Sequence, residues 1–450
     1  MKEDTDMIPV LSWTEGGHKR TARWLSESRD KPPARVVVAD DAMKAETAFR
    51  LACEGCALIW RGDFQNARQM LEALARRADR KKDKKKKAPE NPAEAFHRHR
   101  MARSRRAQIL GMVLVEIQPD GSIPLKRAPD VRQAVSEAIG PPAELPPDSS
   151  DDPLVDPSLD PSLDPSLEPS GSPPIDSRGE SALISLREVL GMIGAHEWRR
   201  KGIGIPFLET RIYPHYGVFP PTRSEYVALA AKAPLPQAFQ ETSPSEPLRQ
   251  RIGDESPDAV PLAMDIGTGT GVLAALLAER GVRRILATDN DPRAVACARK
   301  NMRMAGMDDR VRVVRADLFP APEEISGEFP GFSEKASLIV FNPPWIPAKP
   351  VTRREKSVYD PKSAALHRFL YALPNQIEPG GEVWLLISDL AERLGLRPRE
   401  ELTGAFEKAG LKVIDKTDAP PAHNRSRDPD DPLHFARSAE VVSLWRLGLP

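Results

Sequence analysis

Short apolar runs alternate with helix-like segments through the second half of the chain. The runs have the length of buried strands, and the segments between them show the 3.6-residue apolar spacing of helices. Strands that alternate with helices are typical of parallel βαβ units in a doubly wound sheet. The pattern predicts strands at 261–267, 284–289, 311–316, 337–342, 382–388, 411–415 and 440–446.

The first 140 residues contain a smaller set of similar elements. The runs ARVVVAD and GMVLVEI have strand character, whereas DDAMKAETAFRLA and NARQMLEALARRA have helical spacing. A chain of 450 residues is also too long for one ordinary domain. The pattern predicts a separate accessory domain of α/β or α+β class over residues 1–140.

Proline is concentrated in one segment. The chain has 46 prolines, about twice the usual share of roughly 5%. Residues 141–180 contain eleven prolines and ten acidic residues, including the repeat DPSLDPSLDPSLEPS. Such a composition buries too little apolar surface to offset the entropy of ordering. We expect a disordered linker over 141–180 and a second domain over 181–450 that begins with a helical lead-in.

The charges balance overall but not locally. The 65 basic and 65 acidic residues cancel, so no global attraction to nucleic acid or membrane is expected. Residues 76–106 nevertheless hold fourteen basic residues against four acidic ones. This basic insert is either a solvated loop or a helical basic face that contacts nucleic-acid phosphates.

Compartment and metal content are also indicated by the sequence. No run of about 18 apolar residues occurs, and the start of the chain is acidic, so we expect a cytoplasmic protein without a membrane partner. The CxxC formed by Cys53 and Cys56 lies in an apolar, helix-like run and is interpreted as two buried core thiols. The eight histidines form no ligand cluster, and we expect no metal.

Three glycines follow the first predicted strand of the second domain. Gly267, Gly269 and Gly271 lie in DIGTGTG, between Asp265 and the next helix. Glycines let the backbone approach a ligand closely, and a helix amino end supplies donors. The dinucleotide fingerprint GxGxxG would need a third glycine at position 272, which is Val272, so NAD binding is disfavoured.

Acidic residues end the next two predicted strands. Asp289 lies 22 residues beyond Gly267, where a carboxylate can accept both hydroxyls of a ribose. Asp317 ends the third strand, where it could accept from an adenine amino group. Glycines, a ribose acid and an adenine acid, in this order, describe a site for an adenosine without a phosphate tail. The predicted cofactor is therefore S-adenosylmethionine.

The fourth predicted strand ends in VFNPPWIP. Two consecutive prolines cannot continue a sheet ladder, because each lacks a backbone donor. The strand end therefore carries Asn342, Pro343, Pro344 and Trp345 at the edge where open α/β sheets bind ligands. We predict that this quartet is the floor of an active site. His215 and Tyr216, upstream of the sheet, are interpreted as packing residues.

These motifs resemble those of class I S-adenosylmethionine-dependent methyltransferases. DIGTGTG, Asp289, ADLF and NPPW follow one another over roughly 205–447, and NPPW is similar to the [DN]PP[FYW] motif of the branch that methylates planar amino groups. The likeness is strongest to release-factor glutamine methyltransferases, whose NPPY followed by IP is matched by NPPWIP except for Trp345. The resemblance implies a Rossmann-like sheet, S-adenosylmethionine as cofactor and a macromolecular substrate.

The resemblance gives the quartet a chemical role. The Asn342 oxygen and a proline carbonyl would accept the two hydrogens of a planar amino group, and Trp345 would stack on that group. Two substrates compete: a glutamine side chain of a translation protein, which leads, and an exocyclic base amine of RNA or DNA, which the basic insert favours. A hypothesis of another class is a non-catalytic RNA- or ribosome-binding protein that retains the fold.

Overall fold

The structure, a computed structural model, describes residues 9–26, 31–80, 89–139, 181–240, 260–321, 335–350 and 353–450. The chain divides into two compact units. Unit 1 comprises Met1–Ala88 and Arg100–Glu197, and unit 2 comprises Pro89–His99 and Trp198–Pro450. The predicted linker at 141–180 and the lysine run at 81–87 lie outside the described residues.

Unit 1 is built on a six-stranded mixed sheet, as expected for an α/β accessory domain. The strand order is β1-β2-β6-β5-β4-β3. The strands are β1 (Val10–Glu15), β2 (His18–Leu25), β3 (Arg35–Ala39), β4 (Cys56–Trp60), β5 (Val113–Ile117) and β6 (Ala182–Ser185). The helices are α1 (Ala45–Cys53), α2 (Phe64–Asp79), α3 (Pro92–Gly111), α4 (Arg132–Ile139) and α5 (Leu186–Lys201), of which α3 and α5 have residues in both units.

The predicted start of the second domain at residue 181 is wrong. Strand β6 lies inside the sheet of unit 1, parallel to β2 and antiparallel to β5, and all four of its residues are buried. Residues up to Glu197 belong to the same unit. The strand partners of Ala182 are Arg23 and Ile117, which are far away in sequence. Local patterning therefore could not assign this segment to its sheet.

Unit 2 contains a seven-stranded sheet of order β11-β10-β9-β12-β13-β15-β14. Its strands are β9 (Leu262–Ile266), β10 (Arg284–Asp289), β11 (Val311–Arg315), β12 (Ala336–Phe341), β13 (Ile377–Ser388), β14 (Lys412–Ala419) and β15 (Val442–Gly448), so all seven predicted strands are confirmed. A short hairpin, β7 (Ile203–Gly204) and β8 (Arg211–Ile212), precedes them. The helices are α6 (Glu225–Lys232), α7 (Gln237–Gln240), α8 (Val272–Glu279), α9 (Pro292–Met304), α10 (Ala364–Gln376), α11 (Leu390–Arg393), α12 (Arg399–Lys408) and α13 (His434–Arg437).

One strand of this sheet departs from the parallel βαβ pattern. The five strands β11, β10, β9, β12 and β13 pair in parallel, in this order across the sheet. Strand β15 is antiparallel to both β13 and β14. Parallel pairing needs a crossover, usually a helix, and the described connection from β14 to β15 contains only short helical turns. The chain therefore returns beside β13 in the opposite direction.

Apolar layers cover both faces of this sheet. Helix α8 is buried from Val272 to Ala278 and packs with Ala263 of β9. On the other face, Phe369 and Leu370 of α10 pack with Met264. Helices on both faces force the strand ends, rather than the faces, to form the accessible edge.

The thiol prediction is right for Cys56 and wrong for Cys53. Cys56 is fully buried at the start of β4, whereas Cys53 is exposed at the end of α1. The described residues contain no group of three or more His, Cys, Asp and Glu side chains arranged to hold a metal. No helix in the described ranges is long and apolar enough to cross a bilayer.

Candidate active site

Three neighbouring strands of unit 2 end side by side. Ile266 of β9 pairs with Thr288 of β10 and with Phe341 of β12. One residue further along each strand, Gly267 therefore lies between Asp289 and Asn342. Two strand spacings place the backbones of Asp289 and Asn342 about 10 Å apart. The sheet thus brings the predicted cofactor carboxylate and the predicted acceptor amide to one edge.

The glycine loop is shaped for close approach of a ligand. Gly267, Gly269 and Gly271 have φ angles of 65°, 59° and 86°, a region that side chains disfavour. A Cβ on Gly271 would lie 3.0 Å from the side chain of Met302, so this position is closed by packing. A Cβ on Gly269 would meet nothing within 4 Å. The middle of the loop therefore offers bare backbone to open space, which fits a nucleoside ligand.

Asp265 organises this loop from beneath. Its side chain is 1% exposed, and one carboxylate oxygen accepts bonds from Thr268 Oγ1 at 2.6 Å and from the Ala274 backbone N–H at 3.0 Å. Burial raises the pKa of Asp265 to about 7, although the two hydrogen bonds by themselves lower it. The carboxylate joins the loop to the first turn of α8. Direct contact between Asp265 and a cofactor stays a prediction.

Asp289 completes the loop from the adjacent strand. One of its oxygens accepts from the Gly269 backbone N–H at 3.0 Å and the other from the Asp291 backbone N–H at 2.9 Å. Burial raises the pKa of this carboxyl group as well. Each carboxylate oxygen can accept more than one bond, so the partly exposed side chain can still receive ribose hydroxyls.

Asp317 has a different environment. It lies two residues beyond the end of β11, its side chain is 60% exposed, and it forms an ion pair with Arg368 at 2.7 Å. The structure places it at the correct edge of the sheet but turned towards another surface side chain. Its predicted contact with adenine stays a prediction.

Asn301 was missed by the sequence reasoning. This α9 residue is 1% exposed, accepts from the Tyr213 backbone N–H at 2.9 Å and donates to the Thr270 carbonyl at 2.8 Å. It therefore ties the segment before α6 to the glycine loop. The sequence feature that could have identified it is its position on the buried face of an amphipathic helix, between the buried residues Ala298 and Met302. A polar side chain on such a face needs hydrogen-bond partners.

The segment held by Asn301 packs against α9. The backbone N–H of His215 donates to Cys297 Sγ at 3.4 Å, and Tyr216 is 8% exposed. Burial lowers the pKa of His215 to about 3, so its ring is neutral at pH 7. These contacts agree with the interpretation of both residues as packing residues.

The NPPW quartet begins where β12 ends. Trp345 donates its indole N–H to Asn342 Oδ1 at 2.9 Å and to the Leu386 carbonyl of β13 at 3.2 Å. Pro343 is buried, and Asn342 and Pro344 are partly exposed. The quartet therefore folds back on itself, with the tryptophan ring edge directed at the asparagine.

The partly exposed Arg223 joins Trp345 to two buried glutamates. The Arg223 guanidinium is 4.7 Å from the centre of the indole ring and pairs with Glu225 and Glu440, each at 3.0 Å. Although burial disfavours its charge, bonds from His423, Arg223 and Ser388 hold the pKa of Glu440 below its usual value. Arg223 and Glu225 are neighbours in the chain, whereas Glu440 lies 217 residues away from Arg223.

Part of the chain matches a known protein family. Residues 257–412 match the family described as "Methyltransferase small domain". The matched residues include the glycine loop, Asp289 and the NPPW quartet. The sheet is accordingly a class I methyltransferase fold, and S-adenosylmethionine is its cofactor, as predicted.

Curated relatives cover parts of the chain. A Methanocaldococcus jannaschii protein named as a protein N5-glutamine methyltransferase is 28% identical over 33% of this chain and 70% of its own length. The release factor glutamine methyltransferase of Cereibacter sphaeroides is 30% identical over 34% of this chain and 52% of its own length. A tRNA1(Val) (adenine(37)-N6)-methyltransferase of Porphyromonas gingivalis is 33% identical over 21% of this chain and 36% of its own length.

Proposed function

We propose that this protein transfers a methyl group from S-adenosylmethionine to a planar amino nitrogen of a macromolecule. The lead substrate is a glutamine side chain of a translation protein. The observation that carries the proposal is the register of β10, β9 and β12, which puts Asp289, Gly267 and Asn342 next to one another. Cofactor and acceptor groups would thereby meet above one strand end.

The residues at this edge suit the two ligands separately. The glycine loop and Asp289 would hold the adenosine part of the cofactor, which when bound supplies an electrophilic methyl group. Asn342 lies on the other side of Gly267, where the acceptor would enter. Asp265 and Asn301 are buried and hold the loop in shape rather than touching the acceptor.

Asn342 has a specific task in this chemistry. A planar amino nitrogen shares its lone pair with a π system and is a poor nucleophile. Hydrogen bonds from both of its hydrogens, to Asn342 Oδ1 and to a proline carbonyl, would direct the lone pair towards the methyl group. Positive charge develops on this nitrogen during transfer, so the bonds strengthen in the transition state. As the new N–C bond formed, the S–C bond to the methyl group would break and S-adenosylhomocysteine would leave. The nitrogen would then release one proton to water.

A glutamine substrate is supported by NPPWIP and by the M. jannaschii and C. sphaeroides relatives, which are named as glutamine methyltransferases. A base amine in RNA or DNA is the second candidate. Exposed arginines on the second half of α3, among them Arg103 and Arg105, favour it because such side chains bind phosphates. The P. gingivalis relative, which is named as a tRNA adenine methyltransferase, also favours it.

The experiment uses a strain of the source organism from which this gene has been deleted. Methyl transfer is measured into an extract of that strain, in which the substrate has not been methylated by this protein. Purified protein and tritiated S-adenosylmethionine are added, and the labelled products are divided by protease and by nuclease treatment. We expect protease-sensitive label that is released as methylamine by amide hydrolysis. Label in a nuclease-released nucleoside would select the base amine. An extract of the undeleted strain is the control, because its substrate is already methylated. Absence of label from both fractions of the deletion-strain extract would overturn the proposal.

A further inference from the structure

The indole of Trp345 is held at its edge and on one face. Its N–H lies between Asn342 Oδ1 at 2.9 Å and the Leu386 carbonyl at 3.2 Å. The Leu386 carbonyl belongs to β13 and is fixed by the sheet. The Arg223 guanidinium covers one face of the ring at 4.7 Å. At most one ring face is left for a planar substrate. Stacking on that face would not account for the hydrogen bonds at the ring edge.

The contact at the edge determines which way the Asn342 amide points. An asparagine amide has an acceptor oxygen and a donor nitrogen of similar size, and either can occupy a given position. The indole N–H is a donor only, so it selects the orientation with Oδ1 towards Trp345. In the reversed orientation two donors would face each other and a hydrogen bond would be lost. The second lone pair of Oδ1 stays available to a substrate N–H.

Arg223 is in turn held by buried carboxylates. Glu440 is 0% exposed in its side chain and Glu225 is 2% exposed, and each accepts from one Arg223 nitrogen at 3.0 Å. Glu440 also accepts from Ser388, which ends β13, and contacts His423 Nε2 at 3.2 Å. Buried charges are stable only with their partners in place, so the guanidinium has little freedom to leave the indole.

We infer that Trp345 is a positioning residue that sets the orientation of the Asn342 amide, and that Arg223, anchored on Glu440 and Glu225, holds Trp345 in place. The inference rests on the proposed function, in which Asn342 accepts a hydrogen from the amino group. It replaces stacking on the substrate as the main role of the tryptophan. Substrate would thus meet an acceptor oxygen that is oriented in advance.

Trp345→Phe tests the edge contact, because it keeps an aromatic ring and removes the N–H donor. A net hydrogen bond changes an equilibrium by roughly 3- to 10-fold, and we expect kcat to fall by about this factor. The dissociation constant of S-adenosylmethionine and the KM of the acceptor should not change. Trp445→Phe is the matched control, since Trp445 is a partly buried tryptophan within β15 of the same sheet. Unchanged turnover in Trp345→Phe would overturn the inference.

A double-mutant cycle separates positioning from a general structural role. If Trp345 acts through Asn342, Trp345→Phe should lower turnover in the wild-type background and have no further effect in the Asn342→Ala background. A merely structural role would lower turnover by the same factor in both backgrounds. Equal factors in the two backgrounds would therefore contradict the inference.

Arg223→Lys tests the second link, because it keeps the positive charge for the carboxylates and removes the planar group. We expect a loss of kcat that does not add to the loss in Trp345→Phe. Arg280→Lys is the matched control, since the Arg280 guanidinium lies 5.5 Å from the ring of Trp384 in the same unit. Additive losses would show that Arg223 acts by another route.

One readout does not depend on activity. The indole N–H of Trp345 should exchange with solvent deuterium much more slowly than that of Trp198, whose side chain is 45% exposed. The Arg223→Lys variant should exchange faster at Trp345. Equal exchange at the two indoles would overturn the inference even if the protein methylated no substrate. An inactive wild type with a protected indole would instead count against the proposed function alone.

Discussion

The side-chain oxygen of Asn342 accepts a hydrogen bond from the indole N–H of Trp345 at 2.9 Å. The two residues are three positions apart, and the prolines between them turn the chain so that the ring edge meets the amide. The amide of the proposed acceptor site is therefore oriented before any substrate arrives. Acceptors oriented in advance need no reorganisation when charge develops, which is how enzymes stabilise transition states effectively.

Asp289→Asn should weaken binding of S-adenosylmethionine. The substitution keeps the size of the side chain and removes the charge from an acceptor of ribose hydroxyls. Hydrogen bonds to charged groups contribute roughly 1.5 to 3 kcal/mol, so we expect the dissociation constant to rise about 10- to 100-fold. Isothermal titration calorimetry with the cofactor measures this directly.

The matched control for this prediction is Asp308→Asn, on the exposed loop before β11. It should bind the cofactor like the wild type. Thermal unfolding of both variants checks that the fold is retained, because Asp289 also accepts from the Gly269 backbone N–H. Unchanged affinity in Asp289→Asn would remove this residue from the cofactor site.

Asp265→Asn should change how stability depends on pH. In the folded protein burial raises the pKa of Asp265 from 3.8 to about 7, so the folded state keeps a proton that the unfolded state has lost. Stability from this group is therefore fully present below about pH 4 and falls as the pH rises to about 7. At 1.36 kcal/mol per pKa unit, the loss is on the order of 4 kcal/mol. The neutral asparagine can accept the same two bonds at one oxygen without this loss.

Urea unfolding of the cofactor-free protein, compared between wild type and Asp265→Asn at each pH, isolates this effect. The two proteins should be similarly stable near pH 4, and the variant should be the more stable one at pH 8. A wild type that is equally or more stable than the variant at pH 8 would show that Asp265 is not a strained buried carboxylate.

Two truncations test the unit boundary. A fragment of residues 181–450 carries β6 without its partners β2 and β5, which exposes Ala182, Leu183 and Ile184, all buried in the full chain. A fragment of residues 198–450 lacks this apolar strand. Both lack Pro89–His99, so the comparison isolates residues 181–197. We expect the longer fragment to self-associate in size-exclusion chromatography and the shorter one to do so less.

A monomeric longer fragment and an aggregating shorter one would contradict this prediction. That result would show that residues 181–197 fold as part of unit 2. Binding of S-adenosylmethionine by either fragment would show that the glycine loop has formed.

The features of the fold and the site that the sequence predicts are local in the chain. The strand positions follow from short apolar runs, and the glycine loop and Asp289 follow from their places after such runs. Asp289 required only a count of residues from Gly267. Features of this kind are determined by residues within one turn or one strand of each other, so a pattern can reveal them.

The parts that sequence missed depend on distant residues. Strand β6 pairs Ala182 with Arg23 and Ile117. Strand β15 is antiparallel to β13 because the connection from β14 brings the chain back in the opposite direction. The partners Arg223 and Glu440 are 217 residues apart. Neither residue shows in its own segment that it will form an ion pair with the other. The ion pair of Asp317 likewise depends on Arg368, which lies in helix α10, 51 residues further along the chain.

In the proposed reaction, Asn342 accepts a hydrogen bond from a planar amino group while the methyl group of S-adenosylmethionine is transferred to the amino nitrogen. The most direct measurement is cofactor affinity and methyl-transfer rate, determined separately for wild type, Asn342→Ala and Asn342→Asp. We expect Asn342→Ala to bind S-adenosylmethionine nearly normally and to lose roughly 10²- to 10³-fold in turnover, the usual cost of removing one such group. Asn342→Asp keeps an acceptor oxygen and should retain more turnover than the alanine variant. If turnover survives in Asn342→Ala, or falls only in proportion to lost cofactor binding, NPPW merely ends a strand and the proposed chemistry is wrong.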